Sequence, residues 1–270
     1  MLPGFTPTLG ITIAYLTAIV LLPMGAMVLR TAGLSWGEFW GTISSPQAVA
    51  AYKLSFGGAL VAGAINTGAG LLLAWILVRY EFLGKNLVDA LIDLPLALPT
   101  AVAGISLTAI YAPNGILGKV LDGWGIQVAF TRVGVILAMV FVGLPFAVRT
   151  VQPVLMELDP QSEEAAAVLG ASRWFTFRKV ILRALIPPML TGFALAFARA
   201  VGEYGSIVFI SGNLPMQTEI VPLLIVTKLE QYQYGQATAL AMVMLAGSFA
   251  TLLVVNLVQA WTRGRGGRHG

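Results

Sequence analysis

Long windows without a charge constrain this chain more than any other feature. Uncharged runs cover 1–29, 54–78, 94–118, 133–148, 184–198, 204–218 and 231–262, and a helix needs roughly 20 apolar residues to cross about 30 Å of hydrocarbon. A soluble domain carries about 25% charged residues, because it needs a hydrated surface. Here 10% of 270 residues are charged and 57% are hydrophobic, so the chain cannot coat itself in water and must be solvated by lipid. The same composition excludes disorder. The 16 Lys and Arg against 12 Asp and Glu leave +4, the kind of excess that loops on one side of a membrane produce; no nucleic-acid partner is expected. Cysteine is absent and the one histidine, His269, lies in the tail, which removes disulfides, thiol catalysis and the usual zinc ligand sets. Residues 1–8 lack a basic n-region and the apolar run after them is too long for a signal-peptide core, so a retained span is expected there.

The windows predict an all-α integral membrane protein with six transmembrane helices, near 9–29, 54–78, 91–112, 133–151, 188–211 and 237–261. Segment 34–43, with Trp36, Phe39 and Trp40, reads as an interfacial element with aromatic anchors. The expected organisation is a first helix with its interfacial segment (1–53), a core transmembrane domain (54–262) containing a long loop at 152–186, and a basic tail (263–270). Six crossings put both termini on one side. Assigning that side to the cytoplasm places ten Lys and Arg there (79, 85, 149, 173, 178, 179, 183, 263, 265 and 268) against five outside (30, 53, 119, 132 and 228), as the positive-inside rule requires. No internal repeat is visible. Gly57, Gly58, Gly63, Gly68 and Gly70 invite close helix packing in the second span. Pro95, Pro99 and Pro145 free backbone carbonyls, either as packing kinks or as kinks lining a pathway.

The loop at 152–186 is the informative stretch. Asp159 suits a helix N-cap, Pro160 the first helical position, and Glu163 and Glu164 the positive end of the helix dipole. Ala165, Ala166 and Ala167 leave a low-relief surface, and Gly170 suits a left-handed C-terminal residue. Ser172 can cap a second helix through Arg173, Trp174, Phe175 and Phe177. A helix, a corner and another helix with small residues on one face fit another protein's groove, or else fold as an amphipathic hairpin onto their own bundle.

Glu164-Ala165-Ala166 followed by Gly170 resembles the EAA motif of the membrane subunits of ABC importers. Longer stretches are similar to the sulfate/thiosulfate importer permeases: 145–155 (PFAVRTVQPVL), 163–177 (EEAAAVLGASRWFTF), 200–206 (AVGEYGS) and 209–213 (FISGN). Segments 112–115 (APNG) and 2–5 (LPGF) point within them to the T-type subunit. One departure is Arg183, where the family motif often has a proline. The resemblance implies a type I ABC importer permease fold whose loop is a cytoplasmic coupling helix. Glu163, Glu164, Ala165, Ala166, Gly170 and Arg173 would then be the residues that couple to the ATPase. It also implies a homologous W-type permease partner, two ATPase subunits, a periplasmic sulfate-binding protein, and a bacterial inner-membrane location. No G-x-x-x-x-G-K-[ST] loop occurs, so no cofactor is expected on this chain; ATP and Mg belong to the partner ATPase. The expected function is ATP-driven sulfate and thiosulfate import, with no enzyme activity of its own. A molybdate or tungstate permease is the nearest alternative. An ion-coupled anion carrier is a rival from another class, and it lacks a use for the docking-shaped loop.

Arg199 and Glu203 interrupt an apolar span, where a centrally placed charge costs about 2.5–3.5 kcal/mol on the insertion scale. At i and i+4 they share a helix face. Either they form a structural pair, or Arg199 supplies positive potential along an oxyanion pathway, moderated by Glu203. Tyr204, Ser206, Ser211 and Asn213 would add hydroxyl and amide donors. The apolar core of the loop at 214–235 is expected to be re-entrant or to lie on the surface.

Overall fold

The structure is a computed structural model that describes residues 5–266; residues 1–4 and the tail residues Arg268 and His269 lie outside it. Helices α1 (Phe5–Leu16) and α2 (Leu22–Ala32) join through a π-turn into one apolar rod, followed by the short α3 (Trp36–Ile43). Ser35 and Glu38 close a reciprocal capping box on α3. The hydrogen bonds from the Ser35 hydroxyl and amide hold the Glu38 carboxyl below its usual range. Ser45 caps the long α4 (Pro46–Arg79), with Pro46 at its first position. Then come α5 (Lys85–Ala97), α6 (Thr100–Tyr111), α7 (Ile116–Asp122) and α8 (Arg132–Met156). The expected loop holds α9 (Pro160–Val168) and α10 (Arg173–Thr176), which a π-turn at Phe177–Ile181 connects to α11 (Leu182–Val201). Finally α12 (Ile207–Ile210) and α13 (Val221–Glu230) lead to α14 (Tyr234–Gly266). The last helix continues through 263–266, so the basic segment begins inside it.

Helix directions follow from which glycine meets which neighbour. Gly58 of α4 faces Met139 of α8 and Gly70 faces Ala147, so the two helices run parallel. Gly143 meets Ala196 and Gly192 meets Ala147, so α11 runs antiparallel to α8. Leu240 packs with Ala48 and Ala51 while Gly247 meets Phe56, so α14 runs parallel to α4. Gly70 leaves no room for a side chain: a Cβ there would stand 2.7 Å from that of Ala147. Small residues let these backbones approach, as lipid-embedded packing requires. Ala59, Ala62, Val135, Ala138, Met139, Phe197 and Ala200 fill the space between them.

Among the described residues five helices are long and apolar enough to cross a bilayer. Since α4 and α8 point the same way, the chain between them must recross, and α5 with α6 make that crossing. The single span expected at 91–112, with kinks at its prolines, is therefore two helices bent by 116°. The break is Leu98, extended at ψ 136°, before Pro99; a proline disfavours helical backbone in the residue before it. Pro95 stays inside α5. The expected fifth span at 188–211 is corrected as well: the apolar helix runs Arg173–Val201, because the helix capped by Ser172 does not stop but continues into the membrane. The loop at 214–235 is packed into the bundle and does not lie free on its surface. Its helix α13 buries Val221, Leu223 and Leu224, with Val221 and Leu224 packed on Ala48, Ala51 and Leu240.

Candidate functional site

Two places gather the residues singled out by sequence. The first is the hairpin α9–α10 at the basic end of the bundle. Asp159 accepts a hydrogen bond from Gln161 N at 2.9 Å and Pro160 opens α9. Gly170 adopts φ +79°. Its N–H donates to Ala167 O at 2.9 Å, and Ala171 N–H to Ala166 O at 3.0 Å, the paired bonds of a Schellman end. Ser172 Oγ then accepts from Phe175 N at 3.3 Å and starts α10. Glu164, Ala165 and Arg173 are exposed, and Val168 and Leu169 stand 88% and 86% exposed beside Trp174 and Phe175. Ala165, Ala166, Leu169, Gly170, Phe175 and Val180 line an open groove along the hairpin.

Glu163 is engaged differently from Glu164. It pairs with Arg79 at the end of α4, and the Arg79 guanidinium lies 5.2 Å from the centre of the Trp75 ring. Trp75 meets Phe177 edge-on at 5.4 Å, and Phe177 stacks on Trp174 at 5.6 Å. An ion pair and a ladder of rings thus clamp both arms of the hairpin onto α4. A second clamp lies nearby. Arg149 of α8 contacts Asp89 at 2.7 Å and takes Asp93 bidentately at 2.9 and 2.7 Å, tying α5 to α8 through the fork geometry that suits carboxylates. Sequence reasoning counted Arg79 and Arg149 only as topology charges and passed over Asp89 and Asp93. Their i, i+4 spacing, which sets two carboxylates on one helix face, was the available signal.

The second place is the end of α11. Ala196 sits level with Gly143, near the middle of α8, so α11 ends at Val201 well inside the bundle. Arg199 is in its last turn; Glu203 lies just past the C-cap Gly202, not on a continuing helix. The two pair. Glu203 is 1% exposed, and its other oxygen accepts from Ser206 N at 2.8 Å and Ser206 Oγ at 2.9 Å. A helix broken at membrane depth exposes backbone polar groups that hydrocarbon cannot satisfy, and the Glu203 carboxylate satisfies the amide at the start of α12. The bend of the third crossing rests here too: a Cβ on Gly104 would stand 2.7 Å from Ser206 Cα, and Gly205 abuts Thr100. Tyr204 is 38% exposed. Ser211 is buried, with its Oγ accepting from Asn213 N at 3.1 Å. Asn213 has φ +46° and a buried side-chain oxygen without a hydrogen-bond partner. Of the two accounts of Arg199 and Glu203, this geometry supports the structural pair.

A broken-helix bundle with a capped hairpin at its basic end defines a class of membrane permease. The chain belongs to the family of binding-protein-dependent transport system inner membrane components, matched over residues 66–264. Within that family it groups with the sulfate transport system permeases. The permease protein CysT of Escherichia coli (strain K12) is 47% identical, over 96% of this chain and 94% of the relative. The CysT protein of Synechococcus elongatus is 50% identical over 93% of this chain and 90% of its own. The fold matches that of a bacterial ABC transporter involved in alginate import, at TM-score 0.77 and 16% identity over 94% of both chains. It also matches the MetNI methionine ABC transporter, at TM-score 0.55 and 17% identity over 86% of this chain and 99% of the other. This protein is therefore the permease subunit of an ABC transporter, in which ATP hydrolysis lies in a partner subunit and a binding protein serves the complex.

Proposed function

We propose that the chain forms half of a transmembrane pathway for sulfate and thiosulfate, beside a homologous W-type permease, with its basic end in the cytoplasm of a bacterial cell. A soluble sulfate-binding protein delivers the anion at the opposite end. Two ATPase subunits that hold ATP and magnesium engage the hairpin α9–α10. The observation that carries the coupling role is the apolar surface of that hairpin. Val168, Leu169, Trp174 and Phe175 are all exposed on a well-capped corner, with Leu169 and Phe175 lining one open groove, and exposed apolar surface of this kind marks a protein contact. Glu164, Ala165, Ala166, Gly170 and Arg173 frame this contact. Glu163, through Arg79 and the aromatic ladder, passes hairpin movement to α4. The sulfate assignment rests on the named relatives. Arg199, Glu203, Tyr204, Ser211 and Asn213 would shape the pathway wall at the break in α11, with the Arg199 charge largely neutralised by its partner.

Uptake of labelled sulfate and molybdate by proteoliposomes holding the assembled complex tests the substrate, and uptake of molybdate alone defeats the sulfate assignment. Glu164→Lys reverses a docking charge, and Gly170→Val forces a β-branched side chain into left-handed backbone. Each is expected to abolish ATP-driven uptake while the protein remains inserted. Normal uptake in both removes the coupling role.

A further inference from the structure

We propose that the open cavity between the starts of α4 and α8, at the end of the bundle opposite the hairpin, is a receiving site for a tetrahedral dianion. The cavity has a volume of about 680 Å³ and is lined by Lys53, Arg132 and Gln217 with Pro46, Val49 and Leu54. No carboxylate lines it. Among the described residues neither Lys53 Nζ nor either terminal nitrogen of Arg132 has an acidic partner. Arg132 Nε donates to Gln217 O at 2.9 Å. That bond fixes the plane of the guanidinium and leaves its outer edge open for bidentate contact with an oxyanion.

Several features separate these two cations from ordinary surface charge. Basic residues are disfavoured at the end opposite the basic one in a membrane protein, yet two of them converge on one cavity. Arg132 is the first residue of α8, where a cation opposes the helix macrodipole and an anion is favoured. Two like charges sharing one cavity also repel, and a dianion between them relieves that repulsion. None of the carboxylates at this end lines the cavity, Asp122 and Glu230 included. Glu219 is buried and accepts from Gln47 Nε2 at 2.8 Å, and Glu38 is held in the α3 capping box. Arg199 differs in this respect, because Glu203 already neutralises it. A cavity open to water with two exposed cations attracts a dianion without holding it tightly, as release into a pathway demands.

The site rests on the sulfate-importer assignment made above. Its test uses the full complex in proteoliposomes with its binding protein and ATP, comparing the unmodified permease with Lys53→Gln, Arg132→Gln, the double variant and Lys53→Arg. The double variant is expected to lower maximal sulfate uptake at least tenfold and to raise the ATP hydrolysed per sulfate. The binding-protein concentration for half-maximal uptake stays within twofold, and Lys53→Arg keeps at least half of the uptake. Maximal uptake within twofold of the unmodified complex overturns the site. A rise in the half-maximal concentration with unchanged maximal uptake overturns it too, since the pair then docks an acidic patch of the binding protein. Selenate soaked into crystals of the unmodified complex gives a measurement free of mutation: anomalous selenium signal between Lys53 and Arg132 supports the site, and signal absent from that position counts against it. An unmodified complex that takes up no sulfate defeats the substrate assignment instead, whatever the variants do.

Discussion

Replacing Glu203 by alanine is the sharpest probe of the break in α11. The substitution removes the partner of Arg199 and the acceptor for Ser206 N at 2.8 Å and Ser206 Oγ at 2.9 Å. It leaves a guanidinium unpaired in the bundle and an amide unsatisfied at the start of α12. Removing one member of a buried pair costs about 3–5 kcal/mol, and a stranded buried amide about 1–3 kcal/mol. Groups in one network do not add, so a total of about 4 kcal/mol is expected. At about 2–4 °C per kcal/mol for a chain of this size, the melting temperature should fall by roughly 8–16 °C. Glu203→Gln keeps an acceptor for Ser206 and should lose less. The double variant Arg199→Met, Glu203→Gln removes both charges and should recover part of the loss, because an ion pair replaced by uncharged groups is often close to neutral. Thermal unfolding of the detergent-solubilised complex, followed by size-exclusion chromatography, reads all three. The structural account fails if Glu203→Ala melts within 2 °C of the parent while sulfate uptake falls tenfold; the pair would then act on the anion.

Arg149→Ala should loosen α5 from α8; with these groups partly exposed, the expected cost is about 1–2 kcal/mol, and limited proteolysis should cut faster within 80–99 than in the parent. Gly104→Val should destabilise by about 1–3 kcal/mol, since even its Cβ would stand 2.7 Å from Ser206 Cα. Gly57→Ala, with nothing within 4 Å of the new Cβ, should be neutral or stabilise by up to about 1 kcal/mol, since alanine has less unfolded-state freedom to lose. Equal thermal stability of the two glycine variants would remove the close α6 contact as the cause.

Much of the hairpin was legible because its signals are local. Asp159, Pro160, Gly170 and Ser172 act through their own backbone and nearest turns, so sequence placed the caps and the corner where the structure has them. The arrest at Pro99 was also visible, but not its size: a proline disfavours helical backbone in the residue before it wherever it occurs, whereas the 116° bend depends on how α6 docks against Ser206. The extent of α11 was misjudged at both ends. Charges at Arg178, Lys179 and Arg183 read as loop, although a helix can emerge from the membrane and keep turning. Glu203 read as helical because i, i+4 spacing cannot tell a helix face from a turn that brings the same pair together.

The sequence by itself determined that this chain lives in lipid, supplies up to six spans among the described residues, keeps its basic end on one side and presents a capped hairpin there. Those outcomes follow from hydropathy, charge bias and capping, each set by residues close along the chain. Only the tertiary structure decided the partners of the charges. Glu163 goes to Arg79, Asp89 and Asp93 go to Arg149, and Glu203 satisfies a broken helix, while Lys53 and Arg132 are left facing an open cavity. The physical reason is that a scarce charge in an apolar protein is governed by whichever polar group reaches it in space, and these contacts mostly join segments far apart in the chain.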